Sequence, residues 1–169
     1  MEVVWHSYEL HPAGSPPIPP QYLARIKAAD PRLLRIAREQ YGLELNRGPM
    51  GISSRAALIG AKFAEDQGKG PQYQEAIFRA YWQRANNIGD EEVLVGIAQA
   101  TGLERDAFLA ALKDDQYEDQ VEADVEQAYS YGLTGVPALI FGNRYLVSGA
   151  QPYEVLRQVV EKVEIESGH

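Results

Sequence analysis

The sequence of 169 residues contains no cysteine. A chain without cysteine cannot form a disulfide, exchange one with another protein or use a thiolate as a nucleophile. It also lacks the thiolate ligands of cysteine-based zinc sites and iron–sulfur clusters, so both kinds of site are excluded. The sequence therefore predicts that this chain has no dithiol redox activity of its own.

Long apolar runs and an excess of positive charge are also missing. No run approaches the ~20 apolar residues that span a bilayer, and the N-terminus lacks a signal-peptide pattern. The 24 acidic and 16 basic residues give a net charge of −8, which argues against a nucleic-acid backbone or an anionic membrane as the main partner. We therefore expect a cytoplasmic protein that binds neither nucleic acid nor membrane.

Histidine is scarce, with three residues in the chain. His6 and His11 could serve as acid–base groups or metal ligands, because neutral imidazole titrates near pH ~6.5. No third ligand follows at a recognisable spacing, so we interpret them as a strand-end and a loop histidine. No phosphate-binding glycine loop and no serine nucleophile elbow is present. The sequence predicts no catalytic residue, no metal site and no cofactor.

Two further groups of side chains have a structural and a functional interpretation. Five carboxylates could form a cation site, but their spacing spreads them around one helix and favours a solvated face: Glu118, Asp119, Glu122, Asp124 and Glu126. Three aromatic residues could line a groove for an apolar peptide: Tyr73, Tyr81 and Trp82. Helical spacing favours core packing for Tyr81, whereas the sequence leaves Tyr73 and Trp82 open between packing and a groove.

The C-terminal part of the chain has the clearest local signals. Gly132 follows an apolar helical pattern and is placed to end that helix in a left-handed conformation. Two short strand-like runs, Ala138 to Phe141 and Tyr145 to Ser148, are separated by Gly142-Asn143-Arg144, which is typical of a hairpin. Pro137 stands directly before the first strand, where no ladder hydrogen bond is demanded of its missing N–H. Pro152 then opens a last helix with apolar residues at helical spacing.

These elements resemble the C-terminal half of the thioredoxin-fold domain in the DsbA-like oxidoreductases, particularly the FrnE-like branch. The resemblance is carried by Thr-Gly-Val-Pro at residues 134–137, the hairpin, Ser-Gly-Ala-Gln at 148–151 and the closing helix. It implies a cis bond before Pro137. It also implies that Thr134, Gly135, Val136 and Pro137 present their backbone to a bound peptide or thiol-containing substrate.

The middle of the chain predicts an all-helical insertion. Pro71, Asp90 and Glu104 stand at helix starts, and a further helix runs from about Glu118 to Tyr131. Several short words match the FrnE-like pattern in order and spacing: Ser54-Arg55-Ala56-Ala57-Leu58, Ala76-Ile77-Phe78-Arg79-Ala80-Tyr81, Asn87-Ile88-Gly89-Asp90 and Val121-Glu122-Ala123-Asp124. Before the insertion, Gln21–Ala29 and Pro31–Tyr41 are predicted as two helices, the second ending at Gly42.

The run from Val3 to about Tyr8 is strand-like, and the pattern Trp5-His6-Ser7-Tyr8-Glu9-Leu10 resembles the second strand of the FrnE-like fold. In that fold a first strand and a helix carrying Cys-Pro-Trp-Cys precede it, a unit on the order of 30 residues. The missing strand would be central, so the strand at Val3 and the strand at Ala138 would lose their common neighbour. Three arrangements follow: an upstream segment exists, two chains pair through the open edges, or the Val3 strand takes the vacant place.

The sequence as a whole predicts an α/β protein with a thioredoxin-like fold, an all-helical insertion and no N-terminal βα unit. We expect one DsbA-like domain over residues 1–169, with thioredoxin-like parts at about 1–52 and 132–165 and the insertion at about 53–131. The family activity is thiol–disulfide oxidoreduction, which this chain alone should lack. Two alternatives remain: a glutathione-dependent enzyme like the 2-hydroxychromene-2-carboxylate isomerases and kappa-class transferases, or a non-catalytic peptide-binding or dimerisation module.

Overall fold

The computed structural model describes residues 2–12 and 14–166, so residues 1, 13 and 167–169 of the expected domain lie outside it. Seven helices and one two-stranded sheet are formed within these ranges. The elements are α1 Pro20–Tyr41, α2 Arg55–Asp66, α3 Gly70–Trp82, α4 Glu91–Ala100, α5 Arg105–Ala111, α6 Asp115–Ser130, β1 Ala138–Phe141, β2 Tyr145–Ser148 and α7 Tyr153–Glu166. None of these helices has the length and apolar character needed to cross a membrane.

Helices α2 to α6 pack around a common apolar core. Phe108 and Leu94 are fully buried at its centre, and the ring of Phe63 lies 6.1 Å from the ring of Phe108. On one side of α2, Ile59 packs with Val121 and Val125 of α6. Apolar residues recurring at helical spacing therefore bury one face of each helix.

Side chains at the helix starts satisfy backbone N–H groups that have no partner inside the helix. The Asp90 carboxylate accepts the N–H of Glu92 at 2.9 Å, and the Glu104 carboxylate accepts the N–H of Ala107 at 2.8 Å. The Ala107 N–H also holds the pKa of Glu104 below its usual value, because it stabilises the ionised carboxylate. The sequence therefore marked the starts of α4 and α5 correctly.

Helix α1 differs from the two helices predicted for residues 21–41. It continues through Pro31, which lies in its interior. A proline removes one helical hydrogen bond and crowds the preceding turn, which disfavours but does not forbid a continuous helix. The neighbouring Asp30 carboxylate accepts bonds from both terminal nitrogens of Arg47, at 3.1 and 3.0 Å, and ties this turn to the following connection. The helix ends at Gly42 as predicted, with φ of 65°.

The hairpin forms where the sequence placed it. β1 and β2 are antiparallel, with Ala138 opposite Ser148 and Phe141 opposite Tyr145. Gly142 and Asn143 turn the chain with φ of 56° and 55°. A Cβ on Gly142 would stand 2.8 Å from Cγ1 of Val163, so the absence of a side chain lets the turn approach α7 closely.

The predicted strand at Val3 to Tyr8 does not form. Residues 2–9 belong to neither strand nor helix, and the sheet contains only β1 and β2. A strand needs a neighbour for its ladder bonds, and among the described residues this segment has none. Of the three arrangements, the one in which the Val3 strand takes the vacant place does not occur among residues 2–12 and 14–166. The segment instead lies against α2 and α6, through side chains described below.

Candidate functional site

The loop from Thr134 to Pro137 joins the end of α6 to the start of β1. Gly132 ends α6 with φ of 69°, and the N–H of Leu133 donates to the carbonyl of Ala128 at 3.0 Å. The left-handed residue at the helix end turns the chain out of the helix. The position of the loop is therefore fixed by the helix end on one side and by the hairpin on the other.

Pro137 is held from the opposite strand. The N–H of Gly149 donates to the carbonyl of Pro137 at 2.8 Å, which extends the pairing of β1 and β2 by one bond. Gly149 has φ of 77°, and the side-chain amide of Gln151 donates to the carbonyl of Ser148 at 2.9 Å. The peptide bond between Val136 and Pro137 is cis. The Ser-Gly-Ala-Gln segment at 148–151 thus holds the proline loop through the bond from Gly149 to Pro137. The sequence pattern did not specify this contact.

Three of the four loop residues, Thr134, Val136 and Pro137, are exposed, and Gly135 is half-buried. Val136 is 51% exposed, and nothing lies within 4 Å of the place where a Cβ on Gly135 would stand. Among the described residues, the backbone groups of Thr134, Gly135 and Val136 have no backbone partner. Polar backbone groups without an internal partner are available to a bound chain. The loop can therefore offer hydrogen-bond donors and acceptors beside an exposed apolar side chain.

A charged cluster that the sequence did not predict holds the N-terminal segment in place. Asp124 of α6 is at its centre, with Lys62 Nζ 2.7 Å from its Oδ2. The N–H of Ser7 donates to the same oxygen at 2.7 Å, and His6 Nδ1 lies 2.7 Å from Oδ1. Burial alone would raise the pKa of Asp124, but the bonds from Lys62, Ser7 and His6 outweigh it and hold that pKa below its usual value.

Arg55, at the start of α2, forms the second part of this attachment. Its guanidinium donates to Glu9 at 2.8 Å, to Glu118 at 2.6 Å and to Glu122 at 3.0 Å. Burial would lower the pKa of Arg55, but the three carboxylates outweigh it and raise the pKa further above its already high value. The Glu9 side chain is 5% exposed, so a residue of the N-terminal segment is buried against the insertion by this contact.

The interpretation of the α6 carboxylates as a solvated face is wrong for Asp124 and incomplete for Glu118 and Glu122. The Asp124 side chain is 12% exposed and is contacted by three partners, Lys62, Ser7 and His6. Glu118 and Glu122 both pair with Arg55. His6 is a partner of Asp124 rather than an isolated strand-end group. His6 and Asp124 are 118 residues apart, so no local sequence spacing could have revealed their contact.

The aromatic residues that the sequence left open do not form a groove around Tyr73. This side chain is fully buried beside Phe108, at a ring distance of 5.8 Å, and burial raises the pKa of its hydroxyl. Tyr81 and Trp82 are half-buried with their rings 5.1 Å apart, and the Tyr81 hydroxyl donates to the carbonyl of Pro49 at 3.2 Å. Packing, rather than ligand binding, accounts for Tyr73.

No group of three or more histidine and carboxylate side chains suited to a metal ion occurs in the described part of the chain. The loop at residues 134–137 itself carries no titratable side chain. Its chemistry is limited to hydrogen bonding and apolar contact.

Comparison with known proteins gives relatives over nearly the whole chain. The sequence is 28% identical over 169 residues to the uncharacterized protein YwbO of Bacillus subtilis strain 168, covering 95% of this chain and 81% of YwbO. The fold is similar to that of a probable DsbA oxidoreductase from Streptomyces coelicolor, with a TM-score of 0.83, 28% identity and coverage of 96% of this chain and 75% of the other.

A 2-hydroxychromene-2-carboxylate isomerase has a similar fold at lower identity. Its TM-score is 0.76 with 18% identity, over 92% of this chain and 75% of the isomerase. The family model of the DSBA-like thioredoxin domain matches residues 1–161. With the helical core, the hairpin and the proline loop in place, the chain belongs to the DSBA-like thioredoxin domain family.

Proposed function

We propose that this chain supplies the polypeptide-binding part of a DsbA-like oxidoreductase fold and catalyses no dithiol–disulfide exchange by itself. The observation that carries the proposal is an exposed Val136-Pro137 loop in a DSBA-like domain that contains no cysteine. In the family chemistry, a thiolate of low pKa attacks a disulfide while a proline loop aligns the partner. The aligning loop is present here, whereas the thiolates are not.

An extended polypeptide is the partner that this loop suits best. Main-chain hydrogen bonds give affinity when an extended chain adds to an exposed edge, and neighbouring side chains give selectivity. The backbone groups of residues 134–136 supply such bonds, and Val136 supplies an apolar contact. The carbonyl of Pro137 is already held by Gly149, so the loop has one fixed end against which a partner can bind. A peptide or a thiol-containing substrate fits these requirements.

Pairing with a second copy is a further part of the proposal, and the open strand edges offer one surface for it. β1 has β2 on one side, and among the described residues no strand adjoins its other side. Unpaired edges favour pairing with another chain. A homodimer joined through β1 would cover that edge. As a separate expectation, the protein acts in the cytoplasm.

Redox inactivity is tested by insulin reduction with dithiothreitol. We expect the pure chain to give the turbidity rate of a buffer control, because it has no thiolate to attack the insulin disulfides. A cysteine-containing DsbA-like protein at equal concentration serves as the positive control. Turnover by the pure chain above the buffer rate would overturn this part of the proposal.

Polypeptide binding is tested with a fluorescently labelled, unfolded and cysteine-free peptide. We expect Val136→Asp to weaken binding at least about tenfold, because a buried charge opposes the apolar contact. The matched control is Val155→Asp in α7, whose side chain is 37% exposed and lies outside the loop. Equal losses in the two variants, or no binding by the unaltered chain, would contradict a binding role for the loop.

A glutathione-dependent isomerase or transferase is the second candidate, since the fold is shared with a 2-hydroxychromene-2-carboxylate isomerase. Isothermal titration with reduced glutathione distinguishes the candidates. Saturable heat would favour this alternative. A stable dimer that binds unfolded peptides without glutathione affinity and without redox activity would favour the non-catalytic binding module.

A further inference from the structure

Helix α1 is basic in an otherwise acidic protein. It contains five basic and two acidic residues, whereas the whole chain has a net charge of −8. Arg38 pairs with Glu44 just beyond the helix, at 2.7 Å. The other four basic side chains have no carboxylate within 4 Å among the described residues: Arg25, Lys27, Arg32 and Arg35. Most of the positive charge of α1 is therefore available to another molecule.

The same helix leaves much of its apolar side uncovered. Tyr22 is 49% exposed, Leu33 44% and Leu34 42%. At 3.6 residues per turn these side chains lie on one side of the helix, with Arg25 and Arg32 on the border of that side. The surface that α1 presents is thus apolar along its centre and basic along its rim.

Helix α6 carries the opposite charge in a narrow line. Asp115, Asp119, Glu122 and Glu126 follow one another at spacings of four, three and four residues, and all four are exposed. This spacing puts them on one face, away from the buried Val121. Glu122 accepts from Arg55 at 3.0 Å, whereas Asp115, Asp119 and Glu126 have no cation within 4 Å among the described residues. Like charges at these spacings destabilise a helix, so these three carboxylates have an electrostatic cost in the isolated molecule.

The two helix surfaces match in length and in apolar content. The exposed apolar residues of α1, from Tyr22 to Leu34, span about 18 Å of helix, and Asp115 to Glu126 spans about 16 Å, at the helical rise of about 1.5 Å per residue. At the end of the acidic line, Tyr129 is 54% exposed, and its ring lies 6.3 Å from the ring of Tyr8. The surface of α6 therefore offers acidic side chains to the basic rim of α1 and an aromatic side chain to its apolar residues.

We propose that α1 of one molecule binds along α6 of a second copy of this chain. In a two-fold dimer, the same contact forms twice, because each molecule contributes one α1 and one α6. Within one molecule, no ion pair joins α1 to α6 in the described residues; the ion pairs of α1 are with Glu44 and Arg47. This interface is separate from the proline loop, so it does not rest on the proposed polypeptide binding. It is a different dimer contact from pairing through β1, which main-chain bonds would hold in high salt.

Salt sensitivity is the first test, by sedimentation velocity at a fixed protein concentration. We expect a dimer in about 0.05 M NaCl and mostly monomer in about 1 M NaCl, where the screening length falls to ~3 Å. A dimer that persists unchanged in high salt is held by another surface and overturns the proposal. A monomer at low salt and at protein concentrations of several hundred micromolar overturns it as well.

Charge exchange is the sharper test. One variant carries Arg25→Glu and Arg32→Glu in α1, and the other carries Asp119→Lys and Glu126→Lys in α6; all four positions are exposed. Each variant alone places like charges in both contacts of a dimer, so we expect each to be monomeric. An equimolar mixture places opposite charges in both contacts, and we expect a one-to-one heterodimer.

Two controls separate this result from unfolding and from net charge. Far-UV circular dichroism should match the unaltered chain, because the four side chains are exposed. Thermal melts in about 1 M NaCl, where every form is expected to be monomeric, should remain cooperative. A variant with Arg79→Glu and Arg84→Glu has the same net charge as the α1 variant but alters exposed sites outside both helices, so we expect it to remain dimeric. Dimerisation of either single-helix variant, or no heterodimer in the mixture, would overturn the proposal.

Discussion

The helical insertion and the elements that flank it differ in how much apolar surface they bury. In α2 to α6, apolar side chains such as Leu94, Phe108 and Val121 are fully buried. Among the described residues of α1, β1, β2 and α7, Ala37 of α1 alone is buried. Because apolar burial is the main favourable term in folding, the insertion is expected to carry most of the stability of this chain.

The flanking elements nevertheless keep amphipathic sequences. In α7, Val155, Val159 and Val163 recur on one side of the helix, and in the hairpin Ile140 and Leu146 stand opposite each other with 39% and 48% exposure. Such patterns are typical of elements that are covered on one face. The difference between the two regions shows that a residue pattern can predict an element correctly while its apolar face stays partly open.

The largest expected effect comes from truncating one side chain in each region. Phe108→Ala should cost about 3–5 kcal/mol of unfolding free energy, since the ring is fully buried between Phe63 and Tyr73. Leu146→Ala, at a side chain that is 48% exposed, should cost less than about 1 kcal/mol. Urea denaturation followed by circular dichroism measures both. Comparable losses would mean that the hairpin is as well packed as the insertion.

The next effect concerns the contact between the N-terminal segment and the insertion. Asp124→Asn removes the negative charge that pairs with Lys62, whose side chain is 10% exposed. Loss of one partner leaves a largely buried charge without its main counter-ion, and we expect a cost of about 2–4 kcal/mol. The ion pair of Lys62 with Glu65, at 3.6 Å, moderates this loss.

The pH dependence of that effect has a definite sign. The folded protein lowers the pKa of Asp124 below its unfolded value, so the folded state favours the ionised carboxylate. Its contribution to stability is complete above the ordinary Asp pKa of about 3.9 and is lost as pH falls through the lower folded pKa. The difference between the unaltered chain and Asp124→Asn in urea melts should therefore shrink below about pH 4. A constant difference down to pH 2 would contradict this account.

Local signals in the sequence predicted most of the elements. Asp90 before α4, Gly132 after α6 and Gly142-Asn143 in the hairpin each satisfy a backbone requirement within a few residues, so a short stretch contains all the information. The same reasoning split α1 at Pro31. There the local preference for a helix start competed with continuation of the helix through the proline, and continuation prevailed.

Contacts between distant residues could not be predicted in this way. The strand expected at Val3 depends on a neighbouring strand, and the described residues supply helices with charged side chains instead. Arg55 and Glu118 are 63 residues apart, and their pairing follows only from the packing of α2 against α6. The loop at residues 134–137 was located from a sequence motif, whereas the bond from Gly149 to Pro137 required the hairpin register.

The smallest expected effect compares two glycines inside helices of the insertion, and it tests how tightly that region is packed. A Cβ on Gly60 would stand 2.5 Å from the hydroxyl oxygen of Tyr73 and 2.8 Å from the ring of Phe108, both of them buried. Neither ring can move without disturbing the core, so Gly60→Ala should destabilise the protein by about 1–3 kcal/mol. Gly96 in α4 has no atom within 4 Å of its Cβ position.

Gly96→Ala should therefore stabilise the protein by about 0.5–1 kcal/mol, because alanine loses less backbone entropy than glycine when a helix forms. The same substitution is thus expected to have opposite signs at two helical positions of one region, and urea melts of both variants measure the difference. Effects of equal sign would show that the room around the glycine does not decide the outcome. Opposite signs would show that close packing around Tyr73 and Phe108, rather than helix propensity, stabilises the insertion. The exposed hairpin lacks such close packing.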